Sequence, residues 1–411
     1  MVEASPALPS GPLVLVRRTR PAGPTPPPVT LLALAGAARE AGAAEVQVLD
    51  GALLSDDQEL GARLRAARPG TVVVDGEDRD ASGLAADLRA LRTLAPEARF
   101  VVRPPHGRDP REDLPGADFV LGGSPSTLAA LLRPAADLEQ VPGVAWRDAE
   151  GRLRTGRSVP ESPTLDHAAP LAWDLVDPRA YGLGLGSAAL VTARACPEGC
   201  PSCHHSFGRT VRYRPLAEVE AEAGAARARG ASELVVLDEA FDHDPAHALA
   251  VAESLARVAF PRVVLANPLL GEAIDARLAE ALAAAGLREA RLRAGPPPRL
   301  QGLLRSHQDR RALASSARAL QEAGIAVRLE LTLGWPGEDA TDRRSTARLA
   351  WSLPWTRLSV RPAWEAGAAA TASVMPTPPR ARVLRDALTL RLLAHLQVGP
   401  WLRRVRAWRT R

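Results

Sequence analysis

Cys196, Cys200 and Cys203 are the only cysteines in the chain, and they fall within eight residues in the pattern C-x3-C-x2-C. Three thiols this close together, and odd in number, cannot build a disulfide framework, so they read as metal ligands. Three thiolates on a four-iron cube leave one iron without a protein ligand, an open corner where a small molecule can bind. The alternative is a zinc site, with Cys196, Cys200, Cys203 and His204 supplying four N and S ligands. Adjacent ligands at Cys203 and His204 would strain a tetrahedral site, and no second Cys or His pair at zinc-finger spacing follows.

Other residues that could do chemistry cluster at the ends of apolar runs. Asp238 and Glu239 close ELVVLDE, where a buried carboxylate would favour a bound cation and a solvated strand end is the plainer reading. Arg291 and Arg293 alternate along EARLRAG, so one face of a strand carries both. Turned inward they would clamp a carboxylate or phosphate of a substrate or cosubstrate, and turned outward they would meet solvent. Gly334 and Gly337 in LTLGWPGED permit close backbone approach to a ligand. The run Gly182 to Gly186, GLGLG, precedes a strand and opens no helix, so it is not a dinucleotide fingerprint. His106 reads as a solvated or capping loop group.

The elements that must position these residues form two alternations. PLVLV (12–16), AEVQVLD (44–50), TVVVDG (71–76), RFVVRP (99–104) and ADFVLGG (117–123) read as strands. The stretches 29–42, 58–70 and 81–96 between them carry apolar residues at helical spacing and end in Gly or Pro stop signals. The expected architecture is an α/β, doubly wound, Rossmann-like parallel sheet over 1–145. A polar, proline-bearing linker follows over 146–186, beginning with a small hairpin in GVAWRDAEGRL. From 187 to 365, strands around AALVTARA, ELVVLDE, RVVLANP, EARLRAG, VRLELTLG and RLSVRP predict a partial (β/α)6 TIM-like barrel, with the cysteines at the mouth of its first strand. Residues 366–411 form a basic helical extension expected to pack Trp401 and Trp408 on its own domain, a membrane-surface helix being the alternative.

At 411 residues the chain exceeds one ordinary domain. Its net charge of +5 mixes 52 basic residues, all arginine, with 47 acids, which is a weak field, so nucleic acid is not indicated. The short apolar run Leu13 to Val16 has an acid before it and arginines after it, the reverse of a secretory signal. No stretch reaches the roughly 18 to 20 apolar residues of a membrane span, and a cytoplasmic location is expected.

The cysteine loop, R-A-C-P-E-G-C-P-S-C-H-H (194–205), resembles that of the radical S-adenosylmethionine superfamily. The likeness continues through HHSFGRTVRYRPLAEV (204–219), LVVLDEAFDHDPAHA (234–248) and GIAVRLELTLGWPGED (324–339). In its N-terminal part VTLLALAGAAREAG, VLDG, PPHGR and GADFVLGG, followed by LDHAAPLAWDLVDPRAY (165–181), resemble the branch with an N-terminal cobalamin-binding domain. The resemblance implies a four-iron four-sulfur cluster on Cys196, Cys200 and Cys203, and S-adenosylmethionine chelated at its open iron. Reductive cleavage of the sulfonium would follow, with an electron donor such as a flavodoxin or ferredoxin. It implies cosubstrate contacts at Ser202, Asp238, Glu239, Arg293, Gly334 and Gly337, and a cobalamin-dependent methyltransferase acting on a small molecule or peptide.

The chain departs from that branch in places. The Asp-x-His-x-x-Gly motif is missing, the turn at Gly122 to Thr127 has no glutamate, and Arg17, Arg18 and Arg103 stand at expected corrin loops. Ser202 replaces an aromatic residue. These departures keep two alternatives open: a radical enzyme with a vestigial, non-corrin-binding N-terminal domain, and a non-catalytic iron-sulfur paralogue.

Overall fold

The computed structural model describes residues 8–9, 11–18, 27–76, 81–104, 114–122, 125–134, 136–148, 150–157, 170–183, 186–198, 209–304, 306–363 and 379–396. The chain divides into two compact units, Met1–Leu185 and Gly186–Arg411.

The first unit contains strands β1 (Leu13–Arg17), β2 (Val46–Asp50), β3 (Thr71–Asp75), β4 (Arg99–Arg103), β5 (Phe119–Leu121), β6 (Val144–Arg147) and β7 (Leu153–Thr155), and helices α1 (Val29–Glu40), α2 (Asp57–Ala67), α3 (Ala81–Leu94) and α4 (Pro125–Leu131). The sheet order is β2-β1-β3-β4-β5-β6-β7. The first five strands run parallel, and the 143–153 hairpin adds β6 and β7 antiparallel to the edge. Because successive strand residues point to opposite faces, Leu13 and Leu15 join an apolar cluster with α1 and α4 through Leu31, Leu34, Leu128 and Leu131. Val14 and Val16 join a second cluster, with Leu60 and Leu64 of α2 and Leu84 and Leu88 of α3. Helices on both faces explain why these strands are written as unbroken apolar runs. Truncating a fully buried member such as Leu64 to alanine would cost about 2 to 5 kcal/mol. Strand order reverses between β1 and β3, which makes their carboxyl ends the crevice of this fold. At Gly51, just past β2, a Cβ would lie 2.9 Å from the Arg17 carbonyl oxygen, so the chain passes there only without a side chain.

The second unit contains β8 (Ser187–Leu190), β9 (Ala193–Arg194), β10 (Arg212–Tyr213), β11 (Glu233–Val236), β12 (Arg262–Leu265), β13 (Glu289–Ala294), β14 (Ala326–Leu333) and β15 (Arg357–Pro362). Its helices are α5 (Leu216–Ala228), α6 (Pro245–Val258), α7 (Ala276–Ala285), α8 (Pro298–Gln301), α9 (Arg310–Glu322), α10 (Ala340–Ser352) and α11 (Arg380–Leu396). β8, β11 and β12 form one parallel group and β13, β14 and β15 another. Bridges between Val263 and Leu287 and between Leu269 and Leu292 join the two groups into an arc of six strands in chain order, the expected partial barrel. The helices pack on the outer face of the arc. Leu278 and Leu282 of α7, Leu313 and Leu320 of α9 and Leu349 of α10 share one core with the even-numbered residues of β13. α11 lays Val383, Ala387 and Leu390 into the same core, while Trp401 and Trp408 lie outside the described residues.

AALVTARA, expected as one strand, is two. The Thr192 N–H donates to the Asp238 carboxylate instead of to a neighbouring strand, so the ladder stops at Leu190, and β9 pairs antiparallel with β10. No helix among the described residues is long and apolar enough to cross a membrane.

Candidate functional site

The polar groups of the second unit gather where its strands end. Asp238 follows β11 and is almost fully buried. One of its oxygens accepts from the Thr192 N–H at 2.7 Å and the other accepts from the Thr192 hydroxyl. Burial pushes this carboxyl up to about 6, against the pull of the two Thr192 bonds. The Thr192 oxygen also lies 3.4 Å from His247 Nε2, and the His247 ring leans on Tyr213 with centroids 4.5 Å apart. Burial holds His247 below the usual imidazole range, which favours its neutral form.

Glu239 fixes the next turn of chain. It accepts from Arg194 Nη1 at 2.6 Å and from the Ala195 N–H at 3.0 Å. Ala195 has φ +82°, a left-handed conformation costly for a residue with a Cβ, and it immediately precedes Cys196. The Glu239 bracket therefore over-determines the backbone that launches the cysteine loop. Cys196 is half-buried at the start of that loop, whereas Cys200, Ser202, Cys203, His204 and His205 lie outside the described residues. Among the described residues no set of three His, Cys, Asp or Glu could hold a metal ion, as expected when two of the three thiols are not among them.

Glu198, two residues after Cys196, lines a cavity of about 150 Å³ together with Asp242, Glu272, Arg293, His307 and Gln308. Of the residues expected to contact a cosubstrate, Arg293 lines this cavity, and Glu198 brings the cysteine loop to it. Asp242 accepts from the Leu270 and Gly271 N–H groups at 2.9 and 2.7 Å. Burial pushes it up, while the Arg293 charge pulls it back. Glu272 is raised too, by burial first and then by the neighbouring Glu198 carboxylate. Gln308 stitches the wall together, donating to the Arg293 and Leu270 carbonyls and accepting from the Gly295 N–H. A pocket lined by a guanidinium and several carboxylates suits a ligand carrying both an anion and a cation.

Gly334 and Gly337 take φ +85° and +74° in the turn after β14. Glu338 accepts from the Gly334 and Trp335 N–H groups at 2.7 and 2.9 Å, and burial pushes its carboxyl up to about 7. Arg299 ties the same turn to α10, donating to the Gly337 carbonyl at 2.6 Å and to Asp342. The turn is a rigid frame, with Trp335 packed on Leu300, Leu304 and Ala363. Asp242, Glu272, Gln308 and Glu338 were not identified from the sequence as site residues. Only the positions of Asp242 and Glu338, a few residues beyond predicted strand ends, were available as a signal.

In the first unit the equivalent strand ends are filled. Asp50, Arg17, Asp75 and Arg103 are the last residues of β2, β1, β3 and β4, and they stand in register across the sheet. Arg17 Nε donates to Asp50 at 2.9 Å, Arg103 donates to Asp75 at 3.0 Å, and the Tyr181 hydroxyl donates to Asp50 at 2.9 Å. Arg18 donates to Asp87 at 2.8 Å. The described crevice thus presents a ladder of internal ion pairs, a poor bed for a large, mostly apolar ring. His106 lies outside the described residues.

No protein-family model matches the sequence, and no curated protein sequence matches it. Solved structures do. The radical S-adenosylmethionine methyltransferase TsrM from Kitasatospora setae, solved with tryptophan substrate and a SAM analogue, aligns with a TM-score of 0.66 at 21% identity, over 85% of this chain and 73% of that one. The same enzyme with cobalamin and a [4Fe-4S] cluster bound gives 0.65 at 21% identity, over 86% and 75%. The cobalamin-dependent S-adenosylmethionine radical enzyme OxsB, with aqua-cobalamin and S-adenosylmethionine, gives 0.60 at 13% identity over 83% of this chain, which spans 52% of OxsB. This chain therefore shares the two-part α/β fold of those proteins.

Proposed function

We propose that this chain is a radical S-adenosylmethionine enzyme. The observation that carries the reading is the placement of Cys196. The first thiol of the C-x3-C-x2-C run leaves the mouth of the first barrel strand from a backbone held strained by Glu239 and Arg194, and Glu198, two residues on, lines a cavity that carries both charges. The donor chemistry fits a four-iron four-sulfur cluster on Cys196, Cys200 and Cys203. When bound, the cluster would supply the electron that breaks the sulfonium C–S bond. The chain's own residues bind and orient. Arg293 would hold the methionyl carboxylate and the cavity acids its ammonium, with Glu239 fixing the backbone just before Cys196. Asp238 holds Thr192 at the base of the loop. Gly334 and Gly337 would allow backbone approach to the nucleoside, a role the resemblance also implies for Ser202.

The fold it shares with TsrM and OxsB favours methyl transfer with cobalamin, to a small molecule or peptide, using a flavodoxin or ferredoxin as electron donor. The ion-pair ladder in the first unit favours a second reading, in which the radical chemistry stands and the N-terminal sheet takes no corrin. The described strand ends, closed by their own ion pairs, do not form a cradle for a corrin.

Anaerobic reconstitution tests both readings. The expected result is uptake of about four iron and four sulfide per chain and release of 5'-deoxyadenosine on reduction, both lost in Cys200→Ala. A chain that takes up no iron or sulfide overturns the proposal. Corrin absorbance in protein expressed with cobalamin, together with a methylated product, selects the first reading. A purely iron-sulfur spectrum selects the second.

A further inference from the structure

The lumen of the second unit has two unlike walls. On β8, β11 and β12 the residues turned to the helices include Leu190, Leu234 and Val263, and alternation leaves Ala189, Val235 and Val264 for the lumen. On β13, β14 and β15 the helix-facing set includes Leu292, Leu329 and Val360, and alternation leaves Arg291, Arg293, Glu330 and Arg361 for the lumen. One wall is small and apolar, the other ionic.

At the amino ends of the ionic wall Glu289 holds two arginines at close range, Arg328 at 2.8 Å and Arg357 at 3.2 Å. Towards the carboxyl ends the contacts are longer. Arg291 and Arg361 converge on a single oxygen of the buried Glu330, at 3.6 and 3.7 Å. Both separations are longer than a hydrogen bond. Arg291 is anchored elsewhere as well, because its other terminal nitrogen donates to the Ala266 carbonyl. Arg293 has Asp242 as an attracting charge on the cavity side. Arg361 is the penultimate residue of the last strand, with its side chain 55% exposed, and among the described residues the long contact with Glu330 is its one ion pair.

We infer that Arg361, backed by Arg291, binds an anionic group of the substrate, a carboxylate or a phosphate, with Glu330 as the internal counter-ion that moderates the grip. Two guanidiniums against one carboxylate leave a net positive charge in a partly desolvated place, where Coulomb attraction is stronger than in water. The planar fork of Arg361 matches either anion in bidentate fashion. Calling this anion a substrate group rests on the radical reading of the same unit.

The test uses the full-length chain after reconstitution with iron and sulfide, titrated by calorimetry at low ionic strength with inorganic phosphate and, separately, with succinate. Saturable binding of at least one is expected, and which one binds tells phosphate from carboxylate recognition. Arg361→Gln should weaken it about tenfold, and Arg361→Lys should restore part of the loss. Glu330→Gln should tighten it several-fold, the opposite sign. Arg344→Gln, on the outer face of α10, should leave it unchanged. No saturable binding of either anion, equal affinity in Arg361→Gln, or weakening in Glu330→Gln as well as Arg361→Gln would overturn the inference, the last being the mark of a purely structural pair. Iron counted in the same sample separates the two failures. An unloaded chain sinks the radical reading, while a loaded chain whose anion binding ignores Arg361 sinks only this one.

Discussion

The two units obey the same rule, parallel strands that deliver polar groups to their carboxyl ends, yet they use those charges in opposite ways. In the first unit Asp50, Arg17, Asp75 and Arg103 alternate in sign in one register across four neighbouring strands, and each charge meets its neighbour. In the second, Glu198, Asp242, Glu272 and Arg293 come from different loops and strands and surround a cavity. A charge at a strand end is therefore not a site in itself. What matters is whether the sheet's register already supplies its partner or leaves the charge facing a space that a ligand can fill.

The sharpest way to break that comparison is to remove a rung of the ladder. Asp50→Ala would leave Arg17, buried with only 7% of its surface exposed, without its main counter-charge. Stranding a buried charge costs about 3 to 5 kcal/mol, so urea unfolding of the full chain should show a loss of that size in the first unit. A loss below about 1 kcal/mol, the range of exposed pairs, would mean the ladder is solvated and open to a ligand after all.

The second largest effect is pH dependence in the second unit. Asp238 and Glu338 have carboxyls raised to about 6 and about 7, both chiefly by burial. The native state holds these protons more tightly than the unfolded chain, where carboxyls titrate near about 4. Their contribution to stability is therefore greatest below about pH 4 and is lost as pH rises to about 6 for Asp238 and about 7 for Glu338. The loss is on the order of 3 kcal/mol for each group. Asp238→Asn and Glu338→Gln should each flatten the stability profile over that window, measured by unfolding at a series of pH values. An unchanged slope would place the carboxylates in contact with water.

How far the sequence revealed this follows from the same physics. Sheets covered on both faces are written as apolar runs such as LVLV and TVVV, so the first unit's five parallel strands and helices α1 to α3 could be read from local pattern, whereas α4 was not. The ladder could not, because pairing Arg17 with Asp50 and Asp75 with Arg103 requires the strand order β2-β1-β3-β4, which local pattern does not contain. The break of AALVTARA at Thr192 depends on Asp238, 46 residues away. Glu272 and Gln308 sit in separate loops with no shared spacing, so the cavity they line appears only once six strands stand side by side. The cysteine run was legible because its three thiols fall within eight residues of sequence.

A smaller effect probes the launch of that loop. Glu239→Gln keeps an acceptor for the Ala195 N–H but removes the charge facing Arg194, and should cost about 2 kcal/mol. Under the radical reading it should also lower the iron retained after desalting, because the bracket that holds the strained φ of Ala195 loses its charged anchor on Arg194. Full iron retention would show that the loop keeps its course without the bracket.

The smallest effect tests how completely the ladder is closed. Tyr181 donates to the same Asp50 oxygen that Arg17 approaches, and burial beside that carboxylate pushes its hydroxyl well above the usual phenol range. Tyr181→Phe removes one hydrogen bond to a charged acceptor but leaves Asp50 gripped by the Arg17 fork, so nothing is stranded and the cost should be about 1 to 2 kcal/mol. In a double-mutant cycle with Asp50→Ala the hydroxyl should cost less still, since the carboxylate it served is already gone. Additive losses would mean that Tyr181 stabilises the first unit through its ring alone, and that the ladder ends at the four strand residues without a lid.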